Sequence, residues 1–345
     1  MNRPFFGGLA LAAALVCASC FLPPGWADSP QAEKKPTWAI VVHGGAGNGG
    51  GGAAPAAKPS AREEMMATYL RMGSEMLAKG DSALDTCEKV VRAIEDSGNY
   101  NAGKGAYTTG GGKHSLDAGI MDGSNLKFGS VAGVQTVKNP VVCARMVMEK
   151  SKHVMLLRDG AEEFAAKMGL EIVPSSYFGR GAKKKDGKDE DPEEPHGTVG
   201  CVCLDQKGNL AAATSTGGIG VVLNGRVGGV PICGSCTYAN NKTCAVSGTG
   251  SGEDLVRNVV GHTVSALMEY KGLSAQKAAD EVIFNILPKE KGGIIVVSQS
   301  GEIAMPFNTT MMARGAADSS GRFEIGIGKQ TRKDMSPLVP RADGK

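Results

Sequence analysis

Residues 193–204 read EEPHGTVGCVCL: a charged run with two prolines stops at His196-Gly197, and Thr198 opens an almost unbroken apolar stretch. Residues 183–194 hold four Lys and six Asp/Glu and no apolar side chain larger than proline. Such a segment buries too little surface to offset its ordering entropy, so 179–196 is expected to be a mobile surface linker. Behind it, TVGCVCL and LAAATST flank the turn Gln206-Lys207-Gly208-Asn209 and read as two short strands covered on both faces. Thr198 on that boundary has two readings. It is the first residue of a strand, or it is a processing point. A cut before Thr198 would free its α-amine beside its own hydroxyl. A neutral α-amine has a pKa of about 8, close enough to neutrality to act as general base for that hydroxyl. Gly197 favours the second reading, because a residue without a side chain permits a strained turn and exposes its carbonyl to attack.

Working outward, WAIVVHGGAGNGGGGAAP from Trp38 is a buried strand and a glycine-rich loop, without the Gly-Lys-Ser/Thr of a phosphate cradle. Ser60 with Glu63 makes a capping box ahead of a helix whose Met66, Tyr69, Leu70, Gly73 and Leu77 recur at helical spacing. A second helix starts at Ser82 with Leu84, Cys87, Val91 and Ile94 on one face. Short glycine-cut segments from Asn99 to Val134 read as hairpins. PVVCARMVMEKS, GAEEFAAKMG, VRNVVGHTVSALMEY and SAQKAADEVIFNIL read as helices, and GGIIVVSQSGEIAMPFN as a further hairpin. Hairpins and helices in both halves predict an α+β fold: two antiparallel sheets stacked face to face with helices outside.

Length allows one large domain or two ordinary ones among 345 residues. The formal charge is +3, and no Arg/Lys stripe interleaves with aromatics, so a nucleic-acid partner is excluded and small molecules are expected. Residues 1–27, with Arg3, an apolar centre from Leu9 to Cys17 and small residues at Gly25 and Ala27, read as a signal peptide. Export to a periplasmic or extracellular space follows, with no membrane contact after its removal; a lipoprotein anchor at Cys20 is the alternative. Removal leaves Cys87, Cys143, Cys201, Cys203, Cys233, Cys236 and Cys244, an odd number expected to be mostly buried free thiols. Cys233 and Cys236 have the one spacing at which a disulfide could form.

Many motifs together resemble the plant-type asparaginase and isoaspartyl peptidase family of N-terminal nucleophile hydrolases. They are HGGAG at 43–47, NAGKGA at 101–106, LDAGIMDG at 116–123, GTVG at 197–200, GNLAAATSTGG at 208–218, GRVG at 225–228, YANN at 238–241 and SGTGSGE at 247–253. The resemblance, from about Trp38 to about Gly328, implies a four-layer αββα sandwich and self-cleavage between Gly197 and Thr198. A larger piece, 28–197, and a smaller one, 198–345, would stay in one domain, and two such units would pair as a dimer. It further implies that Thr198 is the nucleophile, that Thr216 orients it, that Thr249 and Gly250 stabilise the oxyanion, and that Asn101 stands close by. Arg226, Val227, Gly228, Gly229, Thr249, Gly250, Ser251 and Gly252 would form the substrate site, with Arg226 on the substrate's α-carboxylate. No cofactor takes part in the chemistry; a structural sodium ion would sit on backbone carbonyls of the glycine-rich segment before Asn101.

The implied activity is hydrolysis of β-aspartyl peptides or L-asparagine. The sequence departs from the pattern at Gly229, where the family has an Asp that contacts the substrate's α-amino group. Val230 and Cys236 stand where the family often has a small polar residue and glycine. Two other readings follow: a glycosylasparaginase-like hydrolase, from which Gly197 departs because Asp is usual there, and a processed, catalytically weak binding protein.

Overall fold

The computed structural model describes residues 35–48, 59–109, 113–179, 197–219, 223–333 and 335. The expected signal segment 1–27, and all of the expected linker but Gly179, lie outside them. The chain enters on β1 (Ala39–Gly47), buried through its apolar AIVV run. Ser60 caps α1 (Ala61–Ala78): its hydroxyl accepts from the Glu63 amide while the Glu63 carboxylate accepts from the Ser60 amide. The predicted stripe of Met66, Tyr69, Leu70, Gly73 and Leu77 is the buried face. Ser82 caps α2 (Ala83–Ser97), whose buried face keeps Cys87, Val91 and Ile94 but takes in Val90 and leaves Leu84 half-buried.

The glycine-cut region folds as a hairpin of β2 (Leu116–Asp122) and β3 (Lys127–Val134). Then come α3 (Pro140–Lys150), β4 (Met155–Leu157) and α4 (Arg158–Lys167). Past residue 197, β5 (Val199–Leu204) and β6 (Leu210–Thr216) pair antiparallel, with Asp205 accepting from the Lys207 and Asn209 amides to close the turn. Next are β7 (Thr237–Ala239) and β8 (Cys244–Gly250), then α5 (Gly252–Arg257), α6 (Val260–Lys271) and α7 (Ala275–Asp280). A π-helical turn over Glu281–Ile286 leads to β9 (Gly292–Ser298) and β10 (Ile303–Ala304). The chain then runs through β11 (Met311–Asp318), β12 (Phe323–Ile327) and β13 (Gln330–Arg332).

One expected helix is corrected. VRNVVGHTVSALMEY is not one helix: α5 ends at Arg257, Val259 takes a left-handed φ of 44°, and α6 restarts at Val260. The amides of Gly261 and His262 donate to the carbonyls of Ser235 and Gly234, so the second helix is docked on that loop and the first cannot run on into it. Hydrophobic periodicity does not report such a long-range anchor.

The strands form a nine-stranded sheet in the order β13-β12-β11-β1-β5-β6-β2-β3-β4 and a four-stranded sheet in the order β10-β9-β8-β7. Three apolar layers separate four structural ones. Ile40, Leu70, Val91, Ile94, Val141 and Cys201 pack α1–α4 on the large sheet. Val41, Val202, Ala212, Ala245 and Ile295 fill the space between sheets, and Val246, Leu255, Val264, Val282 and Ile294 join the small sheet to α5–α7. The fold is the αββα sandwich, mixed rather than purely antiparallel because β3 and β4 run parallel. No described helix is long and apolar enough to cross a membrane. All seven described cysteines are free thiols, and Cys233 is exposed while Cys236 is buried.

Candidate active site

Hairpin geometry places the nucleophile candidate. Val199 of β5 lies opposite Ser215 of β6, so the residue before one strand meets the last residue of the other. The half-buried Thr198 donates through Oγ1 to Thr216 Oγ1 at 3.1 Å, and the same Thr216 oxygen accepts from the Gly218 amide at 3.1 Å. Two donors on one oxygen fix it as an acceptor for the Thr198 hydroxyl. Asn101 secures the turn after Thr216 rather than Thr198 itself. Its side-chain amide donates to the Gly218 carbonyl at 2.7 Å, its backbone carbonyl accepts from the Gly217 amide at 2.8 Å, and its Oδ1 accepts from the Tyr107 amide at 2.9 Å.

The other side of Thr198 is formed by the end of β1. Its pairing with β11 shifts register between His43 and Ala46, and Gly45 there has φ 109°. A Cβ on Gly45 would overlap the Gly197 amide nitrogen and stand 2.7 Å from Gly197 Cα. Only glycine allows the two backbones to touch. The Ala46 amide donates to Thr249 Oγ1 at 3.1 Å, which leaves the Thr249 hydroxyl proton to donate elsewhere. That oxygen lies 3.7 Å from where a Gly197 Cβ would be. The Thr198 hydroxyl, the Gly197 backbone and the Thr249 hydroxyl therefore converge on the peptide bond ahead of Thr198.

Beneath them runs a buried polar chain. His43 Nε2 is 2.9 Å from Ser247 Oγ, which is 2.7 Å from Thr214 Oγ1. Burial drives the His43 pKa from 6.5 down to about 3, against a smaller upward pull from the Thr198 backbone, so the ring is neutral. Glu95, at the end of α2, accepts from the Ser215 hydroxyl at 2.6 Å and the Val141 amide at 3.1 Å. It is fully buried, and desolvation outweighs those donors and pushes its pKa up to about 8.

Thr198, Thr216, Gly218, Ile219, Arg226, Gly228, Gly229, Val230, Cys236, Gly248, Thr249, Gly250, Gly252 and Leu255 line one small cleft. Of the residues expected in the substrate site, Arg226, Gly228, Gly229, Thr249, Gly250 and Gly252 are brought together there. Val227 is 37% exposed outside the lining, and the Ser251 hydroxyl turns to Asp254 Oδ2 at 2.6 Å. Arg226 is clamped from behind: Nε and Nη2 donate to the two carboxylate oxygens of Glu253 at 2.8 and 3.1 Å. Its Nη1 lies 3.2 Å from where a Cβ on Gly228 would stand, a point 3.3 Å from Asp117 Oδ2. The guanidinium in turn holds the Glu253 carboxyl below its ordinary range. Asp117 on β2 fastens the loop by accepting from the Gly228 amide at 3.1 Å and the Gly133 amide at 2.9 Å; burial pushes its pKa up to about 6.

Sequence reasoning did not single out His43, Glu95, Asp117, Thr214, Ser247 and Glu253. A signal existed for Thr214 and Ser247, which are hydroxyl residues directly following apolar runs in buried strands. Of the carboxylates, Asp117 and Glu253 lie inside the LDAGIMDG and SGTGSGE motifs, whereas Glu95 lies in none.

A family model described as Asparaginase matches residues 36–327 of the chain. The isoaspartyl peptidase of Escherichia coli (strain K12) is 42% identical over 292 residues, covering 80% of this chain and 91% of its own. A probable isoaspartyl peptidase/L-asparaginase 2 of Arabidopsis thaliana is 38% identical over 323 residues, covering 84% and 98%. The isoaspartyl peptidase/L-asparaginase of Homo sapiens is 38% identical over 299 residues, covering 84% and 95%.

Proposed function

The chain belongs to the asparaginase family of N-terminal nucleophile hydrolases, and from that premise we propose a self-processing amidohydrolase of β-aspartyl peptides and L-asparagine-type amides, with Thr198 as its nucleophile. The observation that carries the residue assignment is the 3.1 Å bond from Thr198 Oγ1 to Thr216 Oγ1, at a cleft shared with Thr249 and Arg226. In the first reaction the Thr198 hydroxyl adds to the Gly197 carbonyl. The Thr198 nitrogen leaves as an ester forms, and water cleaves that ester to give a free N-terminal threonine.

In the second reaction the freed amine takes the proton from Oγ1, which attacks the substrate's side-chain amide carbonyl. The Thr249 hydroxyl and the Gly250 N–H stabilise the oxyanion, a task for which each donor contributes about 3 kcal/mol. The leaving amine collects the proton, and water hydrolyses the aspartyl ester. Arg226 presents Nη1 to the α-carboxylate while Glu253 fixes the plane of its fork. Asn101 and the His43–Ser247–Thr214 chain hold backbone in place and need not touch substrate.

A hard monovalent cation such as sodium fits the loop between α2 and Ala106. The Gly98 carbonyl oxygen lies 2.7 Å from where a Cβ on Gly105 would stand, and the Tyr100 carbonyl oxygen closer still, so two carbonyl oxygens face a residue with no side chain. Those carbonyls would hold the ion and stiffen the loop bearing Asn101. Export, supported by the charge and apolar pattern of residues 1–27, and pairing of two processed units belong to the same reading.

Intact mass spectrometry and a β-aspartyl-leucine assay test it. Fragments beginning at Thr198 and hydrolysis of the dipeptide are expected, both abolished in Thr198→Ala. An unbroken chain that persists on incubation would overturn the mechanism.

A further inference from the structure

The side chains of the cleft carry one sign of charge. Among the described residues, Arg226 is the only one of permanent charge lining it; the remaining described lining is hydroxyl, backbone, and the apolar Ile219, Val230, Cys236 and Leu255. Cys236 adds no anion, since burial pushes its thiol up to about 12. The two nearest carboxylates are already committed. Asp117 is buried and accepts a backbone N–H on each oxygen, and Glu253 gives both oxygens to Arg226. A bound carboxylate therefore finds a guanidinium, whereas a bound ammonium would be desolvated with no uncommitted carboxylate for it among the described residues.

The wall where a counter-charge could stand is filled from the opposite side. A Cβ on Gly229 would lie 2.6 Å from Cys236 Sγ and 3.0 Å from Ser235 Oγ, so a side chain there requires the Cys236 thiol to move from the position it holds. Gly229 does not have a left-handed φ, so its backbone would accept other residues. What excludes them is the thiol. Positions 229 and 236 compete for one volume, and in this chain Cys236 holds it.

We propose that the cleft selects monoamides of dicarboxylic acids whose α-carbon bears no free ammonium, carrying hydrogen or an acylated nitrogen instead, and that Cys236 sets this selection by occupying the space above Gly229. The inference rests on the assignment of Thr198 as amidase nucleophile and narrows its substrates. The chemistry is unchanged: Thr198 Oγ bonds to the amide carbon, ammonia or an amine leaves with the proton, and water releases the dicarboxylic acid.

The test compares kcat/KM of the processed protein for succinamic acid and N-acetyl-asparagine with that for L-asparagine and β-aspartyl-leucine. At least one ammonium-free compound is expected to exceed both ammonium-bearing ones by about tenfold or more, the scale of one lost charge-assisted hydrogen bond. The exchange Gly229→Asp with Cys236→Gly is expected to reverse that order. Gly229→Asp alone is expected not to, because Sγ blocks it. Cys236→Ala, which removes the thiol but adds no anion, should keep the parent's order and serves if the double variant does not fold. Equal or faster turnover of L-asparagine or β-aspartyl-leucine by the parent overturns the inference and leaves the amidase assignment standing. Fragments beginning at Thr198 without turnover of any of the four compounds overturn it too, and leave self-cleavage standing. An unbroken, inactive chain removes the assignment itself.

Discussion

Glu95→Gln isolates the energetic effect of one buried acid beside the β5–β6 hairpin. In the native protein the Glu95 pKa rises from 4.5 to about 8, chiefly through burial. Below pH 4.5 the group is protonated in both folded and unfolded states. Between 4.5 and about 8 the folded state binds the extra proton, so the stability this group contributes is lost as pH rises through that window. The slope is about 1.4 kcal/mol per pH unit, and the whole span comes to ~5 kcal/mol for this fully buried side chain. Glutamine mimics the protonated acid: its oxygen keeps the bonds from the Ser215 hydroxyl and the Val141 amide, and it cannot ionise. Urea denaturation at pH 5, 6, 7 and 8 should show a parent-minus-variant difference that grows more negative with pH, the glutamine form being the more stable at pH 8. The same difference at every pH would refute the reasoning, because the other titrating groups are common to both proteins and cancel.

Two further substitutions test the geometry around Thr198 and Arg226. Gly45→Ala sets a Cβ 2.7 Å from Gly197 Cα, about 1 Å inside normal contact, on a backbone with φ 109°. Self-cleavage should slow by roughly 100-fold, the effect of an ångström's misplacement, in a time course of fragment formation; processing at the parental rate in a folded variant would discount the Gly45–Gly197 contact. Glu253→Gln removes the charge that clamps Arg226 but sits half-exposed, so the effect is modest. KM for substrates with an α-carboxylate should rise roughly two- to fivefold with kcat little changed, and a loss confined to kcat would place Glu253 in the chemistry instead.

What the sequence made legible followed from neighbours in the chain. The stripe of α1, the capping box at Ser60 and the β5–β6 hairpin depend on residues a few positions apart, and the hairpin alone brings Thr198 to Thr216. The break at Val259 and the close approach of Gly45 to Gly197 depend on partners far along the chain, where no periodicity records them. The same holds for the carboxylates: Asp117, Glu95 and Glu253 act on loops and strands from other elements, and their positions in the sequence do not record those partners. Gly229 and Cys236 show the difference most sharply. As a sequence pattern each is a separate departure, a missing acid and an extra thiol. In three dimensions they are one choice about a single volume, so restoring the acid without removing the thiol should not restore its function.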